Sequence, residues 1–212
     1  LPFLSSTGIP SRWFSERRRG MRDIMKLGLI LMIYSVAAGA SLAGVNIMTM
    51  QKVENNRLLA AEKARSAALP GIDGGFESKK DGAGFEYWVG YKDQAKTQVG
   101  GYVFIARGKG YSSEIESMVG VDPTGKILGA QVVSQQETPG LGTKITEIRH
   151  GEKEPWFSGQ FLGKSLLDDL RVNKDGGVID SITGATISSR AMTNSIRDGL
   201  EKLKAATGGF ES

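Results

Sequence analysis

The 212-residue sequence contains no cysteine and only one histidine, His150. Without thiols the chain cannot form a disulfide or supply the ligands of an iron–sulfur cluster, and it lacks the usual ligands of a zinc site. Redox chemistry on this chain would therefore use an organic cofactor rather than a metal. The absence of cysteine indicates no compartment, because a chain without thiols suits oxidising and reducing surroundings equally.

The sequence has no excess of positive charge outside its first residues. Residues 1–26 contain six basic and two acidic side chains, a net charge of +4, and the remainder is neutral. A nucleic-acid-binding domain concentrates positive charge on its folded surface, which this distribution does not provide. The charge pattern indicates membrane topology and excludes nucleic acid as a partner.

Residues 27–50 form an uncharged run long enough to cross a bilayer as a helix. A cleaved signal peptide is the alternative, but its apolar region is usually only about 7 to 15 residues long. The basic cluster before the run outweighs Lys52 and Arg57 after it, so the N-terminus is expected in the cytoplasm. The sequence therefore predicts one retained transmembrane helix with the following domain outside.

Four segments follow from this interpretation. Residues 1–26 form a cytoplasmic basic segment, whose first twenty residues are assigned no fold, and residues 27–50 form the transmembrane helix. Residues 51–70 are rich in helix-forming side chains and predict a stalk helix that ends at Pro70-Gly71. Residues 71–212 form an extracytoplasmic domain.

The pattern of the globular domain predicts an α+β fold, in which helices pack on an antiparallel sheet. Aromatic and β-branched residues predict strands at 85–89 and 101–105, and a hairpin of strands 115–121 and 126–133 around a turn at residues 122–125. Val178 and Ile179 end a further short strand. A helix is predicted over residues 190–206 by a stripe of apolar residues at helical spacing, namely Met192, Ile196, Leu200 and Leu203.

Residues 180–189 combine hydroxyl groups and small side chains at the start of that helix. Ser188 or Ser189 is the expected N-cap, and Thr183 and Thr186 fall on the preceding turn. Unpaired N–H groups at a helix N-terminus favour an anion such as phosphate. The alternative is an ordinary strand-turn-helix corner in which the hydroxyl groups only cap the helix.

The run Thr183-Gly184-Ala185-Thr186, with Asp180 before it and Ser188-Ser189 after it, resembles the flavinylation signature of the FMN-binding domain family. That family includes the G subunit of the Rnf electron-transport complex and the C subunit of the sodium-translocating NADH:quinone oxidoreductase. The resemblance implies that FMN is joined through a phosphoester to Thr186 by a separate flavin transferase. The family often has Ser where this chain has Thr183.

A second loop also resembles the family, in which it contacts the flavin. Gly140 and Gly142 would let the backbone approach a planar ring, and Glu137 could accept a hydrogen bond from the ring system. Lys144 could pair with the phosphate or with solvent. Taken without the resemblance, the loop is only a turn. Its residues are Glu137, Thr138, Pro139, Gly140, Leu141 and Gly142.

The resemblance implies a membrane-anchored, electron-carrying flavoprotein subunit of an ion-translocating ferredoxin:NAD⁺ oxidoreductase, with no catalytic residues or metal of its own. Its partners would be the membrane, iron–sulfur and flavin subunits of that complex, together with the flavin transferase. The chain would span the inner (cytoplasmic) membrane once. Two alternatives are the C subunit of the quinone reductase and a non-redox exported module.

Several aromatic residues and the single histidine have simpler interpretations. Trp156, Phe157 and Phe161 are spaced like the core-facing side of a helix, with flavin stacking as the alternative. His150, between Arg149 and Glu152, is expected at the surface. Neither group is therefore expected to carry the function.

Overall fold

The computed structural model describes residues 12–149, 151 and 154–210, with only the backbone of residues 12–21 described. His150 lies outside the described residues. The elements are helix α1, strands β1 to β5, and helices α2 and α3, with short 3₁₀ turns at Gly142–Thr146 and Asn173–Asp175. Their bounds are Arg12–Ala68 (α1), Phe76–Lys80 (β1), Glu86–Tyr91 (β2), Val99–Lys109 (β3), Glu114–Val121 (β4), Ile127–Ser134 (β5), Trp156–Gly159 (α2) and Thr186–Thr207 (α3).

The chain divides into two compact units, Leu1–Asn56 and Arg57–Ser212. In the first unit, the helix predicted over residues 27–50 is present, and α1 continues without interruption into the expected stalk. The helix is long and apolar enough to cross a membrane by length and composition, with a mean hydropathy of 1.9 over an 18-residue stretch. The second unit begins within the expected stalk segment rather than after it.

The second unit is built on a five-stranded antiparallel sheet with strand order β1-β2-β3-β4-β5. This arrangement confirms the predicted α+β class, and the four predicted strands lie within or overlap β2 to β5. Strand β1 was not predicted, because it reads Phe-Glu-Ser-Lys-Lys and four of its five residues are exposed. An edge strand of this kind has neither alternation nor buried residues to mark it.

The turn between β4 and β5 forms as predicted. The N–H of Gly125 donates to the carbonyl oxygen of Asp122 at 3.0 Å, and Gly125 has a φ of +82°. The Asp122 carboxylate accepts hydrogen bonds from the N–H groups of Thr124 and Lys126, both at 2.9 Å. The aspartate thus satisfies the turn backbone that the sheet leaves unpaired.

One face of the sheet packs against α3. All four apolar residues of the predicted helical stripe are completely buried there. The helix approaches closely at Gly199, where a Cβ atom would lie 2.1 Å from the ring of Phe104. Phe157 and Phe161 are also completely buried in this core, as predicted, whereas Trp156 is only partly buried against it and Phe161 lies beyond the end of α2.

The opposite face of the sheet receives the end of α1 within the same unit. Ala68 and Leu69 are buried against Val103 and Met118. The approach depends on glycines of neighbouring strands, which pair as Gly90 with Gly101 and Gly120 with Gly129. A Cβ atom on Gly120 would lie 2.1 Å from the carbonyl oxygen of Ala68, and one on Gly129 would lie 2.7 Å from the same oxygen. Gly120 and Gly129 therefore make room for the backbone of Ala68, whereas Gly90 makes room for the side chain of Leu69.

We expect Gly120→Ala to lower the free energy of unfolding by about 2 kcal/mol, because the new methyl group overpacks a backbone contact that cannot rotate away. Gly82→Ala is the matched control, since a Cβ atom at Gly82 meets nothing within 4 Å. Urea unfolding of the full-length chain in detergent, followed by tryptophan fluorescence, measures both. Equal unfolding midpoints for the two variants would contradict this account of the packing.

Candidate functional site

A cavity of about 580 Å³ lies where four segments of the second unit meet: the loop after β3, the loop after β5, the 3₁₀ turn Asn173–Asp175 and the start of α3. Eight of the residues predicted from the sequence line it. They are Glu137, Thr138, Leu141, Gly142, Gly184, Ala185, Thr186 and Ser188. The structure therefore brings together two sequence segments that lie more than forty residues apart along the chain.

The cavity also contains residues that the sequence did not predict, namely Tyr111, Lys174 and Ile187. Of these, Lys174 comes from the 3₁₀ turn Asn173–Asp175, which shows no periodic pattern in the sequence. Five predicted residues do not line the cavity. They are Pro139, Gly140, Lys144, Thr183 and Ser189.

Helix α3 begins at Thr186, two or three residues before the predicted N-cap. The N-cap position is Ala185, whose side chain makes no capping hydrogen bond, and Gly184 has a φ of +79° in the turn before it. The prediction of Ser188 or Ser189 as N-cap is wrong, because both lie inside the first turn of the helix. Ile179 likewise forms only an isolated bridge with Val172 instead of ending a strand.

The Thr186 hydroxyl group faces the cavity and makes no capping contact. Its oxygen accepts a hydrogen bond from the Nζ atom of Lys174 at 2.9 Å. Thr183 is exposed in the turn before the helix and lies outside the cavity. The two threonines of the motif therefore have different surroundings, and of the two it is Thr186 that presents its hydroxyl group beside a cation.

Ser189 and Ser188 hold the start of α3 in place. The Ser189 hydroxyl group accepts a hydrogen bond from the N–H of Ile182 at 3.0 Å and donates to the carbonyl oxygen of Ala185 at 3.0 Å. The Ser188 hydroxyl group donates to Oε2 of Glu137 at 2.5 Å. Ser189 thus fixes the turn that precedes Thr186, and Ser188 fixes the helix to the loop after β5.

Glu137 is the buried acid at the centre of this arrangement, with only 5% of its surface exposed. Its carboxylate accepts hydrogen bonds from the N–H groups of Tyr111 (3.1 Å), Ser112 (3.0 Å) and Ser113 (2.9 Å), in addition to the bond from Ser188. The protein itself occupies the acceptor positions that were expected to meet a flavin ring. These contacts give Glu137 a structural role, as the group that joins three segments of the cavity wall, and its contact with a flavin ring stays a prediction.

Two glycines make room for this carboxylate. A Cβ atom on Gly110 would lie 2.6 Å from Oε1 of Glu137, and one on Gly142 would lie 2.6 Å from Oε2. Gly142 was expected to admit a planar ring, but its close neighbours are Glu137 and Ser188. Gly140 has a φ of +75° and faces open space, so its requirement for glycine is conformational.

Burial alone would raise the pKa of Glu137, because it penalises the charged form. The hydrogen bonds from Ser188, Ser113, Ser112 and Tyr111 outweigh burial and hold the pKa below its usual range. Glu137 therefore stays a carboxylate at neutral pH. It acts as a charged anchor for the loop backbone and not as a proton donor.

The mouth of the cavity is apolar. The side chains of Tyr111, Leu141 and Ile187 are 73%, 45% and 49% exposed, large values for residues of their type. Leu141 lies against Gly184, where a Cβ atom would be 3.3 Å from its side chain. Apolar walls, with the Thr186 hydroxyl group beside the Lys174 cation, suit a planar aromatic group that carries a phosphate. Among the described residues, no cluster of three or more acidic or histidine side chains is placed to hold a metal ion.

We expect Glu137→Gln to lower the free energy of unfolding at pH 7 by about 3 kcal/mol, because a neutral amide replaces charge-assisted bonds in a buried position. In the wild-type protein the stabilisation from this group is fully present above the pKa of an unfolded glutamate, about 4.3. It is lost as the pH falls through the lower pKa of the folded state. The wild-type free energy of unfolding should therefore fall in acid more steeply than that of Glu137→Gln.

Glu147→Gln is the control for this measurement, because the Glu147 carboxylate makes no such set of backbone contacts with the residues that the structure describes. Chemical unfolding of each full-length protein from roughly pH 3 to about pH 8, a range that contains the carboxylate titrations, supplies the comparison. Parallel pH profiles for wild type and Glu137→Gln would contradict the role of the Glu137 carboxylate.

Comparison with known proteins identifies a domain family that covers the part of the chain containing this cavity. Residues 110–201 match the model of the FMN-binding domain family. The matched range starts at Gly110, the glycine that leaves room for the Glu137 carboxylate, and it contains every residue that lines the cavity. A solved structure, NqrC of Shewanella oneidensis, is similar over 67% of this chain and 74% of its own, with 24% identity and a TM-score of 0.44.

Two relatives are named as the G subunit of an ion-translocating oxidoreductase complex. The chain is 48% identical to that of Pasteurella multocida over 94 residues, which cover 44% of this chain and 46% of that protein. It is 32% identical to that of Vibrio vulnificus over 196 residues, which cover 85% of this chain and 90% of that protein. Because this second relationship extends over most of both proteins, the chain belongs to the family of G subunits of ion-translocating oxidoreductase complexes, and the cavity at Thr186 lies in its FMN-binding domain.

Proposed function

We propose that the chain carries FMN joined through a phosphoester to Thr186, and that it passes electrons within an ion-translocating ferredoxin:NAD⁺ oxidoreductase complex. When bound, FMN supplies the electron-accepting and electron-donating chemistry that the side chains lack. One observation carries the proposal: Thr186 presents its hydroxyl group to an apolar cavity at the first turn of a 22-residue helix.

The residues of the cavity fit this cofactor at both of its ends. Gly184 and Ala185 leave the approach to Thr186 free of bulk, so a phosphate can reach the hydroxyl oxygen. Tyr111, Leu141 and Ile187 offer apolar surface for the isoalloxazine ring, and their exposure leaves the ring edge accessible to a redox partner. The chain would bind and orient the flavin while partner subunits deliver and remove its electrons.

Attachment requires a separate flavin transferase under this proposal. Among the described residues, the only side chain bonded to the Thr186 hydroxyl group is Lys174, and no histidine or carboxylate contacts it. A threonine hydroxyl group is a weak nucleophile unless an adjacent base activates it. The transferase would therefore bring the base, and this chain would supply the positioned acceptor.

Helix α1 anchors the protein in the membrane under the same proposal. Side chains along residues 22–50 are exposed along the whole apolar stretch, as expected of a helix that lies in lipid. The basic residues before the span favour a cytoplasmic N-terminus. The FMN-binding domain would then face the periplasm or the cell exterior.

The attachment proposal predicts a specific pattern among threonine variants. Thr186→Ser keeps the reacting oxygen and should still accept FMN, more slowly because the lost methyl group helps fix the side-chain rotamer. Thr186→Val keeps the shape without the oxygen, so it should give a folded, membrane-bound protein with no in-gel flavin fluorescence. Membranes that contain it should also lose ferredoxin-dependent reduction of NAD⁺.

Thr183→Val is the matched control, because it removes the other hydroxyl group of the motif from a position outside the cavity. It should keep covalent flavin. Fluorescence that persists in Thr186→Val, or that disappears with Thr183→Val alone, would show that the attachment residue is wrong.

The orientation proposal predicts the result of limited proteolysis. Protease added outside spheroplasts should cleave the unit that begins at Arg57 and leave residues 1–26 protected. Inside-out vesicles should give the reverse pattern, because the cytoplasmic side of their membrane faces the added protease. Cleavage of the N-terminal segment with a protected domain in intact spheroplasts would refute the orientation.

A further inference from the structure

Among the described residues, Lys174 is the one cation in contact with the Thr186 hydroxyl group, and neither the motif nor the loop at residues 137–142 contains it. Its Nζ atom lies 2.9 Å from Oγ1 of Thr186 and donates a hydrogen bond to it. A lysine side chain is flexible and loses rotamer entropy when it is fixed. Its position therefore depends on how firmly the surrounding chain holds residues 173–175.

Helix α3 holds this turn from one side. Arg190, one helical turn after Thr186, donates two hydrogen bonds to the carboxylate of Asp175: Nε to Oδ2 at 2.7 Å and Nη2 to Oδ1 at 2.6 Å. A bidentate pair of this kind fixes both partners in direction as well as distance. The residue after Lys174 is thus tied to the helix that carries Thr186.

Asn173 holds the turn from the other side. Its Oδ1 atom accepts hydrogen bonds from the N–H of Ser181 (3.2 Å) and from the Ser181 hydroxyl group (3.0 Å), and its Nδ2 atom donates to Asp180 at 3.1 Å. Its own N–H donates to the carbonyl oxygen of Ile179 at 2.7 Å. Both neighbours of Lys174 are therefore bonded to segments that flank the attachment residue.

We propose that Lys174 is the counter-ion of the flavin phosphate and positions the Thr186 hydroxyl group for attachment. This inference rests on the proposed phosphoester at Thr186. The ammonium group carries three donors and no acceptor, so one donor can hold Oγ1 while another binds a phosphate oxygen. Lys144 has no such role, because it lies outside the cavity.

The attachment step itself shows where this charge acts. The Oγ1–P bond forms as the P–O bond to the leaving group of a flavin phosphoanhydride breaks, and the leaving phosphate keeps that electron pair. The hydroxyl proton passes to a base of the transferase. Negative charge grows on the transferred phosphoryl oxygens during this step, and a fixed donor stabilises such charge more than it stabilises the reactants.

The experiment measures the rate of labelling of the full-length chain in detergent. Unlabelled chain is incubated with the flavin transferase and flavin dinucleotide, and intact mass follows the labelled fraction at several acceptor concentrations. We expect Lys174→Met to lower the maximal rate roughly tenfold or more, with little change in the acceptor KM. Lys174→Arg should restore most of the rate, because it returns the charge.

Lys144→Met is the matched control and should label at the wild-type rate. A Lys174→Met chain that unfolds at the same denaturant midpoint as wild type excludes a general folding defect. The midpoint of Lys174→Met could instead be lower than that of wild type. If Lys174→Arg then unfolds at the same lowered midpoint, the difference between the labelling rates of the two variants reports the effect of the Lys174 charge. Equal labelling rates for wild type and Lys174→Met would overturn the inference.

The two proposals fail in different ways. A wild-type chain that gains no flavin mass under these conditions would contradict the attachment at Thr186 itself. A wild-type chain labelled at Thr186 whose Lys174→Met variant is labelled equally fast would contradict only the role of Lys174.

Discussion

The buried carboxylate of Glu137 is the interaction on which the geometry of the site depends. Its two oxygens collect N–H donors from residues 111–113 and the hydroxyl group of Ser188, so one side chain joins the end of β3, the loop after β5 and the first turn of α3. Gly110 and Gly142 are small because a Cβ atom at either position would collide with this carboxylate. A buried charge is stable only when it is well paired, and here the pairing is what assembles the cavity wall. The acid that resembles a ligand-binding group in sequence thus acts by holding the loops in place.

The sheet supplies the rigid frame for this centre, and each face contributes through a different kind of contact. On one face the apolar stripe of α3 fixes the direction of the helix against the sheet. The first turn of the helix therefore reaches the loops that follow β3 and β5. On the other face glycines let the backbone at Ala68 approach, which gives the domain a second packed layer at the end of α1. Thr186 is therefore placed by a long, well-packed helix rather than by the loop that precedes it. A reacting group on such an element is held more firmly than one on a loop.

The features that follow periodic rules were predictable from the sequence, and those that depend on single distant contacts were not. The stripe of Met192, Ile196, Leu200 and Leu203 predicted a core-facing helix, and residues 122–125 predicted a turn, since both patterns are local. Ser188 and Ser189 were misassigned as caps because a serine in a first turn and a serine at an N-cap look alike in sequence. Only the folded structure distinguishes a first-turn serine from an N-cap serine here, because it shows that the Ser188 hydroxyl group donates to the distant residue Glu137. Lys174 was not predicted for the same reason, since distant contacts of its neighbours Asp175 and Asn173 bring its turn to Thr186.

We propose that the flavin is carried on one particular oxygen of this domain, Oγ1 of Thr186. Peptide mapping of the wild-type chain extracted from its native membrane tests the claim directly, because trypsin cleavage after Lys174 and Arg190 releases residues 175–190 as one fragment. Fragmentation of that peptide by electron transfer locates the modification without breaking the phosphoester first. We expect an added mass of FMN less one water on Thr186, with Thr183, Ser188 and Ser189 unmodified. An unmodified peptide, or the added mass on any of the other hydroxyl groups, would contradict it.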